Sequence, residues 1–258
     1  MPIHAAAIVD PTAKIDATAD IGPYCVVGAG VEIGARTRLM AHVFVEGEIS
    51  IGEGNVFYPY STVGVAPQDL KYHGEPSRTR IGHRNKIREF VTIHRGTEGG
   101  GMVTSIGDDN LVMAYTHIAH DVQVGSHTVL ANGVTFGGHA IVEDWAVIGA
   151  FSGVHQFCRV GRHSIIGGYS VITQDVLPYS MTAAQREAKV YGANGTGLER
   201  RGFSKESVGV LHKAFRLLVK SGLNTSQAVE KIRTEVEQTD EIGELLKFMA
   251  ASERGFVK

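Results

Sequence analysis

Apolar residues recur at every sixth position over most of the chain. The series runs without a polar member from Ile3 to Val63, returns from Ile81 to Ile93, and runs again from Ile106 to Ile172. Because only 43% of the residues are hydrophobic, a random chain would place polar residues at more than half of these positions. A period of six is neither that of a helix nor that of an alternating strand. It predicts short parallel strands joined by tight turns, with three hexads in each triangular coil.

The position four residues after each of these apolar residues is usually small or β-branched. A side chain of this size would fill the interior of a coil beside the larger apolar one. Both cysteines, Cys25 and Cys158, occupy this position, and no C-x-x-C pair indicates a metal site. We therefore predict that they are inert core residues. The other examples are Ala7, Ala13, Ala19, Thr37, Thr116, Thr128, Ala140, Ala146, Ser152, Ser164 and Ser170.

Two interruptions break the six-residue pattern, at residues 64–80 and at the glycine-rich residues 97–105. Loops that a regular solenoid excludes are where function tends to lie. We expect both loops to contribute to a functional site.

The period changes near the C-terminus. The hexads stop at Pro178, and a helical period begins at about Ser204, with two more helical stretches before Met249. The sequence therefore predicts a solenoid over residues 1–178 and a C-terminal α-helical domain over residues 179–258. Such a domain would cap the open end of the solenoid.

Several histidines fall at matching positions of successive predicted coils. If three hexads make one coil, Ile118, Phe136 and Val154 lie above one another, and Ile93 lies below Ile118 once the extra residues of the glycine-rich loop are subtracted. Parallel strands are about 4.8 Å apart, so side chains at matching positions come within reach of each other. The histidines on this outer face are His94, His120, His139 and His155, and His117 lies at the corner just before them. By the same arithmetic His83, His127 and His163 lie on another face and look incidental.

The surroundings predicted for His120 suit proton transfer. An imidazole takes a proton from a hydroxyl at neutral pH, and the neighbouring Asp121 carboxylate can hold its tautomer. Gly137 and Gly138 lie one coil away, where a backbone N–H can bind a developing oxyanion. No serine or cysteine stands out as a nucleophile beside the cluster, which favours direct attack by a bound acceptor. The alternatives are a solvated surface and zinc ligation by three of the histidines, as in a β-helical carbonic anhydrase.

Composition excludes several classes of partner. A formal charge of −2 at pH 7, without a basic stripe, gives no reason to expect nucleic acid. No apolar stretch approaches the roughly 18 residues of a membrane span, and the N-terminus lacks a secretory signal. We predict no transmembrane segment and a cytoplasmic location. We also expect no cofactor and no resident metal.

An ordered set of motifs resembles the UDP-N-acetylglucosamine acyltransferase family, whose members perform the first step of lipid A biosynthesis in Gram-negative bacteria. The resemblance runs essentially from end to end. Hexads alone are shared by many acyltransferases, whereas this set is specific. The matching stretches are QDLKY at 68–72, GEP at 74–76, VTIHRGT at 91–97, HIAHD at 117–121, GH at 138–139, VHQFC at 154–158 and RRGFS at 200–204.

The resemblance implies both an architecture and an activity. The architecture is a left-handed parallel β-helix that assembles as a homotrimer, with active sites in clefts between subunits. The activity is transfer of a 3-hydroxyacyl chain from acyl carrier protein to the 3-hydroxyl of UDP-N-acetylglucosamine. In this scheme His120 is the general base, Asp121 is its orienting partner and Gly138 is the oxyanion donor.

The resemblance also implies a binding groove. Gly168 matches the position that closes the far end of the acyl groove and sets chain length; the alternative is a turn glycine with positive φ. The basic segment from Arg200 to Lys220 is predicted to attract the acidic carrier protein. The sugar and acyl groove would be lined by Asp69, Lys71, His94, His117, His139, His155 and Gln156, and the nucleotide side by Asn194, Arg200 and Arg201.

Besides the zinc hydratase, three other functions are compatible with the sequence. The acceptor is either the 3-hydroxy sugar or its 3-amino analogue, as in some relatives. A relative that acylates an amine in the same pathway generally has an additional N-terminal domain, which hexads beginning at Ile3 do not suggest. A non-catalytic β-helix scaffold is the third. The chain also departs from the usual Gly-Asn dipeptide of the family at Ala183–Arg186.

Overall fold

The computed structural model describes residues 3–184 and 188–257 and shows a left-handed parallel β-helix followed by a C-terminal helical region. The predicted fold class is confirmed. From Ile21 to Ile172 the apolar residue of each hexad points into the triangular interior and is at most 4% exposed. Burial of apolar surface contributes about 25 cal/mol per Å², so this continuous core is the main source of stability.

Three sheets form the faces of the coil, and neighbouring strands run parallel except for the last two of the third sheet. The first sheet contains Ile8–Val9, Val26–Val27, Phe44–Val45, Thr62–Val65, Thr92–His94, His117–Ile118, Thr135–Phe136, Gly153–Val154 and Val171–Ile172. The second contains Lys14–Ile15, Val31–Ile33, Glu48–Ile51, Arg78–Ile81, Val103–Ile106, Gln123–Val124, Ile141–Val142 and Arg159–Val160. The third contains Asp20–Ile21, Arg38–Leu39, Val56–Phe57, Lys86–Ile87, Leu111–Val112, Val129–Leu130, Val147–Ile148, Ile165–Ile166, Ser180–Ala184 and Ala188–Ala193.

The strand register shows that the regular alignment of the coils continues after each of the two loops. Ile8 pairs with Val26, three hexads farther along the chain, which is one regular coil. Val63 pairs with Ile93, and the chain between them is longer than one regular coil because the first loop intervenes. Ile93 pairs in turn with Ile118 across the glycine-rich loop. The extra residues are therefore extruded from the coil, and the subtraction of the glycine-rich loop from the sequence spacing is confirmed.

Strands extend into the ends of both predicted loops. Arg78–Ile81 and Val103–Ile106 are regular strands, and Gly64 and Val65 belong to the strand Thr62–Val65. The irregular segments are thus residues 66–77 and 95–102, and the second of them contains a short 3-10 helix at Glu98–Gly100.

Most corners of the coil are turned by a non-glycine residue in the left-handed backbone region, three positions after the buried apolar residue. Asp121, His139 and Phe157 take this conformation, with φ of 60°, 61° and 64°. Such a conformation is uncommon for non-glycine residues and persists only where the surrounding structure holds it in place. Here the coils above and below hold it, because the corner residues stack on one another. These three side chains consequently lie one above another along the corner between the first and second sheets.

The third sheet continues beyond the predicted boundary at residue 178. Ser180–Ala184 pairs with Ile165–Ile166 in parallel and with Ala188–Ala193 in an antiparallel hairpin. The sequence pattern did not reveal this hairpin, because it has no hexad period. Near it, His163 stacks between Trp145 and Tyr179, so it is a packed residue rather than an incidental surface one.

Four helices follow: α1 (Gly195–Arg200), α2 (Lys205–Val219), α3 (Thr225–Glu235) and α4 (Asp240–Ala250). The three longer ones match the predicted helical stretches, and their N-caps are Ser204, Asn224 and Thr239, whose side chains accept backbone N–H groups. Their apolar faces form a second core with Leu177 and Tyr179 at the end of the solenoid. None of the described helices combines the length and the apolarity that a membrane span requires.

Both cysteines are fully buried and unpaired, as predicted for core residues. Burial raises the pKa of the Cys25 thiol, and it raises the pKa of Cys158 to about 11. A thiol of this kind is rarely ionised at neutral pH, so it is a poor nucleophile.

Candidate active site

The structure brings most of the predicted histidines together on the outer face of the first sheet and at its corner. The rings of His94 and His117 pack edge to face with centroids 4.8 Å apart, and those of His120 and His139 do the same at 5.1 Å. His139 also stacks on Phe157 at 4.5 Å. The rings therefore form two neighbouring groups, His94 with His117 and His120 with His139 and Phe157, which together make up a histidine row over successive coils.

His155 and Gln156 lie at the exposed margin of this row. The Nδ1 atom of His155 is 3.1 Å from the backbone oxygen of Gln156, and that oxygen also accepts a hydrogen bond from Arg254. Both side chains are thus available to a ligand in the groove rather than committed to the core.

Burial keeps the inner histidines neutral. His94 is 4% exposed, and burial, helped by the neighbouring His117 and His120, lowers its pKa to about 4. Burial and His120 also lower the pKa of His117, whose Nδ1 atom lies 2.7 Å from the hydroxyl of Thr92. Uncharged imidazoles act as hydrogen-bond donors and acceptors at neutral pH, which suits recognition of a polyhydroxylated ligand.

His120 forms a hydrogen-bonded pair with the buried carboxylate of Asp121. The Nδ1 atom of His120 lies 2.9 Å from Oδ2 of Asp121, and the carboxylate side chain is 1% exposed. Because a carboxylate only accepts, the neutral form of this ring carries its proton on Nδ1 and has its lone pair on Nε2. That lone pair is where a general base would receive a proton.

The Nε2 side of His120 lies beside Asp69, a residue that lines a cleft formed in part by both extruded loops. Oδ2 of Asp69 is 3.9 Å from His120 Nε2, and the other oxygen of Asp69 accepts the backbone N–H of Lys71. The Lys71 side chain is exposed. The cleft has a volume of about 880 Å³ and is lined by Asp69, Lys71, His73, Gly74, Glu75, Thr97, Glu98, Gly99, His139 and Phe157.

Gly138 packs directly against the imidazole of His120. A Cβ at this position would lie 2.4 Å from Cε1 and 2.6 Å from Nε2 of His120. Among residues 3–184 and 188–257, no oxygen accepts the Gly138 N–H. A glycine here therefore gives the ring its space and leaves a backbone donor available beside the base.

Two threonines support the histidine row, and neither was predicted to belong to the site. Thr97 donates its N–H and its O–H to Asp121, and Thr92 contacts His117. Both lie in the stretch VTIHRGT, so the motif that marked His94 also contained them. Their roles depend on contacts between coils, which a periodic pattern does not describe.

The residues predicted for the nucleotide side lie at a different corner of the same chain. Asn194 is buried, and its side-chain amide donates to the backbone oxygen of His163. The guanidinium of Arg201 lies over the ring of Trp145 at 5.6 Å, and Arg200 is exposed. Trp145 and His163 follow strands of the second sheet, whereas His120 follows a strand of the first. Within one chain these residues do not join the histidine row. Gln185 and Arg186, which belong to the stretch that departs from the family's Gly-Asn dipeptide, lie outside the described residues.

Gly168 is exposed and does not adopt a left-handed backbone conformation. The left-handed residue of its hexad is Tyr169, with φ of 58°. The alternative interpretation of Gly168 as a turn glycine is therefore wrong. A Cβ at this position would lie 3.1 Å from the backbone oxygen of Ala150, a tight contact.

Within the described ranges, one group of side chains brings donor atoms close enough for a metal ion. It consists of His120, Asp121 and His139, whose ligand atoms lie within 4.8 Å of one another. The oxygens of Asp121 already accept hydrogen bonds from Thr97 and His120. This carboxylate is thus arranged to orient an imidazole, and the group differs from the three-histidine set of a β-helical hydratase.

Two family models match the chain. The model described as bacterial transferase hexapeptide (six repeats) matches residues 104–138, and the model described as domain 2 of UDP-N-acetylglucosamine O-acyltransferase matches residues 175–257. Among curated proteins, the acyl-carrier-protein–UDP-N-acetylglucosamine O-acyltransferase of Thermodesulfovibrio yellowstonii is 46% identical over 256 residues, which cover 99% of each chain.

Solved structures agree with this similarity over the whole length. The structure of LpxA from Acinetobacter baumannii has a TM-score of 0.96 and 42% identity, with 100% of both chains covered. The UDP-N-acetylglucosamine O-acyltransferase of Moraxella catarrhalis has a TM-score of 0.95 and 44% identity, again with 100% of both chains covered.

Proposed function

The chain belongs to the UDP-N-acetylglucosamine O-acyltransferase family and is an enzyme of lipid A biosynthesis, and we propose that within it His120 is the general base for direct acyl transfer. The acyl donor is a 3-hydroxyacyl chain on acyl carrier protein, and the acceptor is the 3-hydroxyl of UDP-N-acetylglucosamine. The observation that carries this proposal is the His120–Asp121 pair: Nδ1 of His120 lies 2.9 Å from the buried carboxylate, and Nε2 lies 3.9 Å from Asp69, a residue that lines the cleft.

The proposed reaction proceeds in two proton-coupled steps. Nε2 of His120 takes the proton of the sugar 3-hydroxyl while that oxygen attacks the thioester carbonyl carbon of the donor. The backbone N–H of Gly138 donates to the oxyanion that develops on the carbonyl. Asp121 stabilises the imidazolium that forms. Collapse of the intermediate breaks the carbon–sulfur bond, and the departing thiolate receives the proton from His120.

The groove residues have distinct proposed roles. The neutral His94 and His117 offer ring nitrogens to the sugar, together with Asp69 and Lys71 from the first extruded loop. His139 continues the row toward its margin. We assign His155 and Gln156 to that margin, where both side chains are exposed.

The experiment that tests the activity is mass spectrometry of the product. Purified enzyme is incubated with UDP-N-acetylglucosamine, or with its 3-amino analogue, and with 3-hydroxyacyl carrier proteins of several lengths. An O-acylated sugar nucleotide is expected. If product forms only from the amino analogue, the acceptor is the 3-amino sugar and not the 3-hydroxy sugar. If the protein instead shows hydratase activity that rises with its zinc content, the proposed acyl transfer is wrong.

We propose that the chain assembles as a homotrimer, and the position of the nucleotide-side residues supports a site shared between subunits. Asn194, Arg200 and Arg201 are at the corner after the second sheet, away from His120 of the same chain. If these residues bind the nucleotide of a substrate whose sugar reaches His120, the site is completed by a neighbouring subunit. Sedimentation equilibrium of the intact chain tests the proposed stoichiometry.

We predict that Arg216 contributes to capture of the acidic carrier protein. Lys205, Lys213, Arg216 and Lys220 are exposed along helix α2. Reversing the charge with Arg216→Glu should lower kcat/KM for the acyl carrier by about tenfold at low ionic strength, and the deficit should shrink as salt screens the charges. The control is Arg233→Glu, an equal charge change at an exposed position of α3. Equal, salt-independent kcat/KM values for both variants would contradict carrier docking at this helix.

We predict that Gly168 leaves room for the end of the acyl chain. A methionine at this exposed position would occupy the groove and shorten the preferred donor. Each CH₂ group that is no longer buried loses about 0.8 kcal/mol, close to fourfold in affinity. The measurement is kcat/KM for Gly168→Met across a series of donor lengths, with a thermal melt to detect strain against Ala150. An unchanged length profile in a stable variant would refute the predicted role.

A further inference from the structure

The glycine-rich loop between His94 and His120 closes over the buried side of the His120–Asp121 pair. The N–H of Thr97 donates to both oxygens of Asp121, at 2.9 and 3.1 Å, and its hydroxyl donates to Oδ2 at 2.5 Å. Thr97 is itself 6% exposed. These hydrogen bonds link one coil to the next, because 24 residues separate the two side chains.

The ends of this loop hold both the side chain and the backbone of Asp121. Thr104, which lies in the strand immediately after the loop and is fully buried, accepts the backbone N–H of Asp121 at 2.8 Å. The backbone oxygen of Thr97 accepts the N–H groups of Gly100 and Met102, which close the loop on itself. Asp121 is thus fixed at its left-handed corner from both ends of the loop.

Two glycines allow the loop to approach this closely. A Cβ on Gly100 would lie 2.0 Å from Cγ of Asp121, and a Cβ on Gly96 would lie 2.8 Å from Oδ1. Neither glycine adopts a left-handed conformation, so the need for glycine comes from contact with the carboxylate and its surroundings rather than from the turn. A Cβ on Gly99, which lies between them, would have no atom within 4 Å.

A carboxylate as buried as Asp121 requires several donors. Hydrogen bonds from Thr97 and from His120 satisfy its oxygens, and they leave the group no alternative orientation. We propose that Thr97 is a positioning residue and that the glycine-rich loop is a clamp that holds Asp121 against Nδ1 of His120. The clamp fixes the tautomer whose free Nε2 lies beside Asp69 of the cleft. This inference rests on the proposed role of His120 as the base.

The first test compares two substitutions at Thr97. Thr97→Val removes the hydroxyl with little change of shape, and we expect kcat to fall about tenfold with KM for the sugar nucleotide unchanged. Thr97→Ser keeps the hydroxyl and should retain most of the activity. An increase in KM at unchanged kcat would overturn the proposal, since Thr97 would then contact substrate. Equal losses in both variants would also overturn it, because they would indicate a packing role.

The second test compares a glycine of the loop with a glycine outside the site. Gly100→Ala places a methyl group against the Asp121 carboxylate and should lower kcat by at least tenfold, whereas Gly243→Ala in helix α4, where an added Cβ meets no atom within 4 Å, should leave it unchanged. A Gly100→Ala variant with normal kcat would overturn the clamp. Combining Thr97→Val with Asp121→Asn should cost no more than Asp121→Asn alone, because both changes act through one group.

The outcomes separate this inference from the proposed function. If His120→Ala retains activity, His120 is not the general base, and the proposed function and the clamp that positions His120 both fail. If His120→Ala is inactive while Thr97→Val and Gly100→Ala are both normal, the base stands and only the clamp fails.

Discussion

Replacing His120 by alanine is expected to lower kcat by at least about 100-fold, the loss typical of removing a general base. The imidazole is the ring with Nδ1 hydrogen-bonded to Asp121 and Nε2 beside Asp69, and the neighbouring His94 and His117 pack against each other instead. The fold should survive, because the side chain lies outside the solenoid core. Steady-state kinetics with acyl carrier protein and UDP-N-acetylglucosamine give the value, and circular dichroism checks the fold.

The matched control for this variant is His127→Ala. His127 also lies at an outer corner, after a strand of the second sheet, and it stacks on Trp145 rather than on the histidine row. Its loss should leave kcat within a factor of about two. Near-normal turnover in His120→Ala would refute the proposed mechanism, and equal losses in the two histidine variants would indicate general destabilisation.

Gly138→Ala is expected to lower kcat by about 100-fold without unfolding the enzyme. The new methyl group would lie 2.4 to 3.0 Å from Cε1, Nε2 and Nδ1 of His120, so the ring must move away from its place. Displacing a catalytic group by about 1 Å costs on the order of 100-fold in rate. The same movement would separate the base from the Gly138 N–H that we assign to the oxyanion. Single-turnover measurements at saturating substrate isolate this chemical step.

A glycine on a distant helix provides the comparison for this second variant. Gly243 lies in α4, and a Cβ there meets no atom within 4 Å, so Gly243→Ala should be fully active and slightly more stable. If Gly138→Ala turned over as fast as Gly243→Ala, the base would not need its observed position. A loss of melting temperature in Gly138→Ala alone would point to a role in folding.

The histidine row could be located from the sequence because its members recur in successive coils of the solenoid. Each coil adds one hydrogen-bonded strand to the first sheet, so a side chain after Ile118 must lie above one after Ile93 once the extruded residues are subtracted. The arithmetic needs no knowledge of packing. It does not extend to Asn194, which lies beyond the last hexad and donates its side-chain amide to the backbone oxygen of His163.

The chain itself determined the solenoid, its two extruded loops and the clustering of His94, His120 and His139 in successive coils, because an apolar residue at every sixth position leaves only one way to bury the core. Only the tertiary structure decided how Thr97 and Gly100 meet Asp121, how closely Gly138 approaches His120, and how the hairpin ending at Ala193 extends the third sheet. These contacts join segments that have no common period. Their positions follow from the packing of loops and coil corners, which is set by shape and hydrogen bonding between residues far apart in sequence.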